Sequence, residues 1–208
     1  MKVLVVDDHP IVRAGIQRLL AGEGQCEVRE AANGREALTQ FRQYRPDIVV
    51  LDLGMPGLGG IEVIGRLKIE DDTVRILVLS MHRDGIYAKR ALQAGALGFV
   101  TKSASPDCLL EAIRQVAAGR LYIEHEIAQD LALASVQVKD TPFQALSPRE
   151  FEILRLLAEG SSMRQIAEAI GISYKTAANT CGQIRTKLGA QHTGDLIRIA
   201  LQGGIVRG

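Results

Sequence analysis

The sequence predicts an α/β flavodoxin-like protein with a doubly wound, five-stranded parallel sheet, followed by a small all-α domain of four helices. Over the first 119 residues, five short apolar segments alternate with five segments of helical periodicity. This alternation is typical of βαβ units and of a parallel sheet covered on both faces. From Leu146 onward the periodicity is helical throughout. Right-handed crossovers leave few topologies, and the doubly wound order is the natural one at this length.

The elements of the first half have recognisable beginnings and ends. The predicted strands are 2–6, a short segment around Val28, 47–51, 75–79 and 97–100. The predicted helices begin near Pro10, at 34 after the N-cap Asn33, near 60, at Asp84 and after Ser105. On the first helix, we expect the buried side to carry Ile11, Ala14, Leu19 and Leu20.

The domain limits are predicted at 1–119 for the first domain and 146–208 for the second, with a linker at 120–145. Within the linker, residues 124–136 could form one helix, and the polar segment 137–142 that follows orders weakly. We therefore expect the linker to be partly helical.

The second domain has clear helix start signals. Residues 147–150 combine an N-cap serine, a proline at the first position and a glutamate at the third, and Ser162 with Gln165 repeats the capping box. Gly171 suits the end of the helix 163–170, and Ser173 suits the start of the next. Two short helices joined in this way form the outline of a helix-turn-helix, and a closing helix near 194–202 completes a four-helix domain.

Composition indicates a soluble, cytoplasmic protein. Of the 208 residues, 47% are hydrophobic, and no apolar segment approaches the roughly 20 residues of a membrane span. The three cysteines form no CxxC pair, which favours reduced thiols over a disulfide or zinc framework. Residues 146–208 carry 8 Lys and Arg against 5 Asp and Glu, a small basic excess that indicates a nucleic-acid partner.

One carboxylate stands at the end of the most apolar strand. Asp52 follows 48–51 directly, and a lone aspartate at such a place is more often a turn cap than a functional group. However, Asp7, Asp8, Ser80 and Lys102 also follow predicted strands. Because parallel strands end at one edge of the sheet, these side chains should meet there. Three clustered carboxylates favour a hard divalent cation such as Mg²⁺, and the hydroxyl and ammonium suit an incoming anion, so the set predicts phosphoryl transfer to a carboxylate.

These residues resemble a known family. Asp7-Asp8, Asp52 followed by Met55-Pro56-Gly57, Ser80 and Thr101-Lys102 are similar to the receiver domain of two-component response regulators. Residues 146–206 resemble the LuxR-type helix-turn-helix domain. The two resemblances cover nearly the whole chain and indicate the NarL/FixJ family. Within it, the segment 122–133 and the Ser-Pro-Arg-Glu entry at 147–150 are most similar to GacA-type regulators.

The resemblance implies a phosphorylation site and its metal. Asp52 would accept a phosphoryl group from a sensor histidine kinase, with Ser80 and Lys102 bound to the phosphoryl oxygens. Mg²⁺ would be held by Asp7, Asp8, Asp52 and the backbone carbonyl of Gly54.

The resemblance also implies a switch and an output. Ser80 and Phe99 would be the switch residues; many relatives have Tyr where Phe99 stands, so here the switch would work through ring packing. The protein would be a DNA-binding transcriptional regulator, cytoplasmic and without a membrane partner. It would be a homodimer when phosphorylated, and not an enzyme beyond slow autodephosphorylation.

The predicted recognition helix runs from about Tyr174 to Leu188. Ala177, Cys181, Ile184 and Leu188 recur at helical spacing and should pack inward. The residues predicted to contact double-stranded DNA are Lys175, Thr176, Asn179, Gln183, Arg185 and Lys187. Relatives often have basic residues where this chain has Ala178, Thr180 and Gly182, so the surface is less basic than usual.

Two other functions fit the residues. Aspartyl-phosphate phosphohydrolases use a similar Asp nucleophile, but they usually carry a second Asp two residues on, where this chain has Gly54. The other is a regulator that acts through protein contacts and whose second domain has little affinity for DNA.

Overall fold

The structure is a computed structural model, and it describes residues 1–22, 24, 26–81, 85–136 and 142–205. The chain forms two compact units, Met1–Val136 and Gln137–Gly208. Within the described residues, no helix combines the length and the apolar character needed to cross a membrane.

The first unit is built on a parallel sheet. Its strands are β1 (Lys2–Val6), β2 (Glu27–Ala31), β3 (Ile48–Asp52), β4 (Ile76–Ser80), β5 (Gly98–Thr101) and β6 (Tyr122–Ile123). They lie in the order β2-β1-β3-β4-β5-β6, and all five neighbouring pairs are parallel. β3 and β4 are buried at every position, as expected for central strands covered on both faces. The doubly wound order that the sequence predicts is therefore confirmed.

Six helices belong to the described part of this unit. They are α1 (Pro10–Ala21), α2 (Gly34–Tyr44), α3 (Gly60–Glu70), α4 (Gly85–Gln93), α5 (Pro106–Ala117) and α6 (His125–Val136). Asn33 caps α2 as predicted, since its side chain accepts a hydrogen bond from the Glu36 backbone N–H. Ser105 caps α5 in the same way through Cys108. The predicted start of α4 at Asp84 lies outside the described residues, as does most of the weakly ordering segment 137–142.

Two details of the first unit differ from the sequence prediction. The sheet has a sixth strand, β6, where five strands were expected; it is only two residues long, too short for a periodicity to reveal it. On α1 the buried residues are Ile16 and Leu20, whereas Ile11 is 83% exposed and Ala14 is also exposed. Ile11 lies nine residues before Leu20, which places it half a turn away on the opposite side of the helix.

The second unit is helical. A short 3₁₀ segment, Pro142–Ala145, precedes α7 (Pro148–Ala158), α8 (Met163–Ile170), α9 (Tyr174–Leu188) and α10 (Thr193–Gln202). Both predicted capping boxes are present, at Ser147 and at Ser162, and Gly171 ends α8 in the left-handed conformation. α8 and α9 pack against each other, and α7 packs against α8, α9 and α10. The predicted helix-turn-helix pair is therefore confirmed.

Candidate functional site

The carboxyl edge of the sheet brings the predicted acidic residues together. Asp52 is the last residue of β3, and Asp7 follows the last residue of β1. Both side chains are almost inaccessible, with exposures of 3% for Asp52 and 1% for Asp7. The register that pairs Val6 with Leu51 sets the two strand ends side by side, so the sheet itself positions the carboxylates.

A lysine ammonium lies between these two carboxylates. Lys102 Nζ is 2.7 Å from Asp7 Oδ2 and 2.9 Å from Asp52 Oδ2, and the lysine side chain is 7% exposed. Burial lowers the pKa of Lys102, but the two carboxylates outweigh it and hold the pKa above its usual value. The ammonium therefore stays protonated and offsets part of the charge at this edge.

Asp52 itself is poorly solvated. Its burial raises its pKa, and this outweighs the hydrogen bonds from Lys102 and from the Gly54 backbone N–H, which donates to Oδ1 at 3.1 Å. The Asp7 carboxylate raises the pKa further. A Cβ built on Gly54 would lie 3.7 Å from both carboxylate oxygens of Asp52, so any side chain at position 54 would stand beside that carboxylate.

Asp8 and His9 complete the acidic cluster. Carboxylate oxygens of Asp7, Asp8 and Asp52 and a ring nitrogen of His9 all lie within 4.8 Å of one another. His9 Nδ1 is 3.1 Å from Asp7 Oδ1 and 3.0 Å from Asp8 Oδ1. His9 is not among the site residues that the sequence predicts; the backbone turn that lets the His9 N–H donate to Asp7 Oδ1 brings the ring there.

The oxygen donors of this cluster fit a hard divalent cation. Asp7 Oδ2 and Asp8 Oδ1 are buried; Lys102 Nζ lies 2.7 Å from the first of these oxygens and His9 Nδ1 lies 3.0 Å from the second. Carboxylate oxygens with spare acceptor capacity are the ligands that Mg²⁺ prefers.

The remaining predicted residues lie on the neighbouring strands. Ser80 ends β4 with an exposure of 0%, and it pairs in register with Thr101 at the end of β5. Phe99 is also 0% exposed, so its ring packs inside the unit. The site therefore has a carboxylate, an ammonium and a hydroxyl on three adjacent strands of one sheet edge, an arrangement suited to binding a tetrahedral anion on Asp52.

A second surface is the outer side of α9. Ala177, Cys181 and Ile184 are buried, as their spacing predicts, while Leu188 is half-buried. Cys181 is a core residue, and its burial raises the pKa of its thiol. Of the residues predicted to contact DNA, Arg185 is half-buried and the others are exposed: Lys175, Thr176, Asn179, Gln183 and Lys187.

Three of these α9 residues already have partners within the unit. Arg185 Nη1 donates to the Gln191 carbonyl at 3.4 Å. Thr176 contacts the N-cap Ser173, with 2.8 Å between their hydroxyl oxygens. Lys187 Nζ lies 2.7 Å from Glu150 Oε2 on α7, where the glutamate is 7% exposed. A phosphate that bound Lys187 would have to compete with that ion pair, whereas Lys175, Asn179 and Gln183 present their side chains to solvent.

Both units match known families. Residues 3–114 match the response regulator receiver domain, and residues 144–200 match the luxR family of bacterial regulatory proteins. The chain belongs to the response regulators. The family match agrees with the geometry of the sheet edge and with the helix-turn-helix pair, which lie in the first and second units respectively.

Relatives of this response regulator match it along its whole length. The transcriptional activator protein ExaE of Pseudomonas putida is 38% identical, covering 100% of this chain and 99% of its own. The response regulator GacA of Pseudomonas aeruginosa is also 38% identical, with 99% of this chain and 98% of its own covered. The predicted resemblance to GacA-type regulators is thereby confirmed.

Solved structures are similar to nearly the whole chain or to part of it. RcsB from Salmonella enterica serovar Typhimurium, bound to promoter P1flhDC in the presence of the phosphomimetic BeF3-, is 27% identical with a TM-score of 0.67, covering 96% of this chain and 97% of its own. A LuxR-family two-component response regulator from Aurantimonas sp. SI85-9A1 is 43% identical with a TM-score of 0.63, covering 65% of this chain and 98% of its own. This response regulator therefore joins a receiver domain to a LuxR-type DNA-binding domain.

Proposed function

We propose that Asp52 is the phosphoacceptor of this response regulator and that a sensor histidine kinase supplies the phosphoryl group. The observation that carries the proposal is the buried Asp52 carboxylate with the Lys102 ammonium 2.9 Å away. Attack by a carboxylate oxygen on the phosphorus forms an acyl phosphate, and the histidine nitrogen leaves. Lys102 neutralises charge on the transferred group, and Ser80 donates to one of its oxygens.

Asp7, Asp8, Asp52 and the Gly54 carbonyl would hold Mg²⁺ at this site. The bound cation would offset negative charge on the phosphoryl oxygens, as metals do in phosphoryl transfer. Asp7 orients Lys102, because its Oδ2 lies 2.7 Å from the ammonium. Phosphorylation adds about −1.5 to −2 charge, which Ser80 and Phe99 would convert into a change of packing.

For the second unit, we propose sequence-specific binding of double-stranded DNA through α9, by a homodimer when Asp52 is phosphorylated. Asn179 and Gln183 lie four residues apart on one side of the helix, and each can pair with an adenine edge in the major groove. Lys175, Thr176, Arg185 and Lys187 would contact the phosphates. RcsB, one of the structural relatives, forms two dimers bound to two parallel DNAs, which supports this oligomeric state.

The phosphohydrolase alternative is less consistent with the site. Such an enzyme would need a general acid and base beside the acyl phosphate. Position 54 is the place for that residue, because a Cβ built there would lie 3.7 Å from both Asp52 carboxylate oxygens. Glycine offers no proton there. We therefore propose that phosphorylated Asp52 is hydrolysed only by slow autodephosphorylation. We also propose that the receiver domain spans 1–119 and the DNA-binding domain 146–208.

Labelling with acetyl phosphate and Mg²⁺ tests the phosphoacceptor. The wild type should take up one phosphoryl group per chain, and Asp52→Asn should take up none, because the amide nitrogen and oxygen cannot form the acyl phosphate. Asp107→Asn, which changes an exposed carboxylate at the start of α5, is the control and should label normally. Stoichiometric labelling of Asp52→Asn would refute the assignment, and continuous release of phosphate would favour the enzyme.

Selection from random double-stranded DNA, with and without acetyl phosphate, tests the output. Asn179→Ala should relax the preference at one base position, while Lys175→Ala should weaken binding to all sequences and reduce the salt slope by about 1. If no sequence is enriched in either state, a regulator that acts through protein contacts is the better conclusion.

A further inference from the structure

Thr101, the last residue of β5, is held by a carboxylate from the segment that joins β6 to α6. Glu124 Oε2 accepts a hydrogen bond from the Thr101 backbone N–H at 2.6 Å, and Oε1 accepts one from the Thr101 hydroxyl at 3.2 Å. Thr101 is 2% exposed, so water does not compete for these groups. A hydrogen bond between a buried neutral donor and a charged acceptor is among the stronger ones in proteins.

The position of Glu124 explains why its side chain makes this contact. Its backbone N–H donates to the Phe99 carbonyl as the last bond between β5 and β6, and its own carbonyl accepts from Ala128 N as α6 begins. In a longer parallel strand, the carbonyl of residue 124 would receive the Thr101 N–H. Because the Glu124 carbonyl already accepts a hydrogen bond within α6, the Glu124 carboxylate accepts the Thr101 N–H in its place. Glu124 therefore joins the sheet to the helix.

Lys102, the residue after Thr101, connects this segment to the proposed phosphorylation site. The Lys102 backbone N–H donates to the Ser80 carbonyl at 2.8 Å, and its ammonium contacts Asp7 and Asp52. A continuous set of contacts therefore runs from Asp52 through Lys102 and Thr101 to Glu124. Each step is a hydrogen bond, an ion pair or a peptide bond.

α6 packs closely against α4, so a shift at Thr101 and Lys102 can be transmitted to it. It lies against α4, and a Cβ built on Gly85 would be 3.1 Å from backbone atoms of Asp130 and Leu131. This close approach of the two helix backbones leaves little room between them. Along the chain, α6 is the element that leads toward the LuxR-type unit.

We propose that Glu124 is a positioning residue that couples the phosphoryl state of Asp52 to α6. The proposal rests on the proposed function, since it requires Asp52 to be phosphorylated. The added charge draws the Lys102 ammonium, the Thr101–Lys102 corner shifts with it, and the two hydrogen bonds to Glu124 pass the shift to the first turn of α6. Such coupling requires those bonds to differ in strength between the two states.

Hydrogen exchange of the full-length chain, with and without beryllofluoride and Mg²⁺ as the phosphoryl mimic, tests the coupling. In the wild type, amide exchange in 125–136 should change by about tenfold on loading, which corresponds to about 1.4 kcal/mol, close to the lower end for a hydrogen bond to a charged group. In Glu124→Ala, loading should leave the amide exchange of 125–136 nearly unchanged. Glu126→Ala, an exposed carboxylate on the same helix, is the control and should keep the wild-type response.

Acetyl phosphate labelling of the same samples separates the two proposals. If the wild type labels on Asp52 but α6 exchange does not respond, the coupling is refuted and the proposed function stands. An equal α6 response in Glu124→Ala and the wild type also refutes it. Should Glu124→Ala not fold, Glu124→Gln keeps the volume and one acceptor for the Thr101 N–H but loses the charge. Its response should lie between those of the wild type and onefold, and a wild-type response would overturn the proposal.

Discussion

Replacing Glu150 should destabilise the helix-turn-helix unit, because its carboxylate makes two contacts there. Oε2 of this glutamate receives the Ser147 backbone N–H at 2.7 Å, which closes the capping box of α7, and the Lys187 ammonium at 2.7 Å. Loss of the capping hydrogen bond costs about 1 kcal/mol. Loss of the ion pair costs about 1 kcal/mol more, since the Lys187 side chain is 40% exposed and solvent screens the pair.

Two variants separate these contributions. Glu150→Ala removes both contacts and should cost about 2 kcal/mol of unfolding free energy, which speeds globally limited amide exchange in α7 and α9 about thirtyfold. Glu150→Gln keeps an oxygen for the Ser147 N–H and should cost about half as much. Glu168→Gln, an exposed carboxylate on α8, is the control. Equal exchange in Glu150→Ala and Glu168→Gln would refute the assignment.

The stabilisation by Glu150 should be lost at acidic pH. Burial raises the pKa of Glu150, but hydrogen bonds from Lys187 and Ser147 outweigh it and hold the pKa below the usual 4.5. A carboxyl group whose folded pKa is lowered stabilises the protein above its unfolded pKa, and loses that effect as the pH falls through the folded value. The stability difference between the wild type and Glu150→Gln should therefore be full at pH 6 and shrink below pH 4.5.

The remaining predictions concern glycines, each with a matched control. Gly182→Ala should stabilise the second unit by up to about 1 kcal/mol in thermal unfolding, because a Cβ there meets only Arg185 Nη2 at 3.8 Å; Gly189→Ala, at a φ of +65°, should destabilise it by a similar amount. Gly60→Ala should cost about 1–3 kcal/mol and slow labelling by acetyl phosphate, because its Cβ would lie 2.6 Å from the Asp52 carbonyl oxygen and the Leu53 Cα. Gly59→Ala, with nothing within 4 Å, should do neither, and equal melting of the two variants would contradict the packing argument.

The sequence sufficed for those parts of the fold that depend on local pattern. β3 and β4 are continuous apolar segments, and α7, α8 and α9 each begin after a capping serine. These strand bounds and helix starts were therefore predicted to within about one residue. The convergence of Asp7, Asp52 and Lys102 also followed, because parallel strands end at one edge.

What the sequence did not reveal depends on contacts between distant residues. Glu124 is one of many acidic residues in the chain, and its bond to Thr101, 23 positions earlier, requires the pairing of β5 with β6. His9 joins the acidic cluster through the geometry of a single turn. Lys187 looks like a free cation in the sequence, whereas its partner Glu150 lies on another helix, 37 residues away.

The two outer strands of the sheet bear on how the receiver unit avoids aggregation. An unpaired strand edge is a template for strands of other molecules. On one side, β2 carries the exposed charged residues Glu27 and Arg29, which oppose docking of an apolar strand. On the other, β6 covers β5 with only two residues and then becomes α6, so the outer edge is too short to recruit a partner. The segment that leads to the output unit thus also protects the receiver from sheet-to-sheet association.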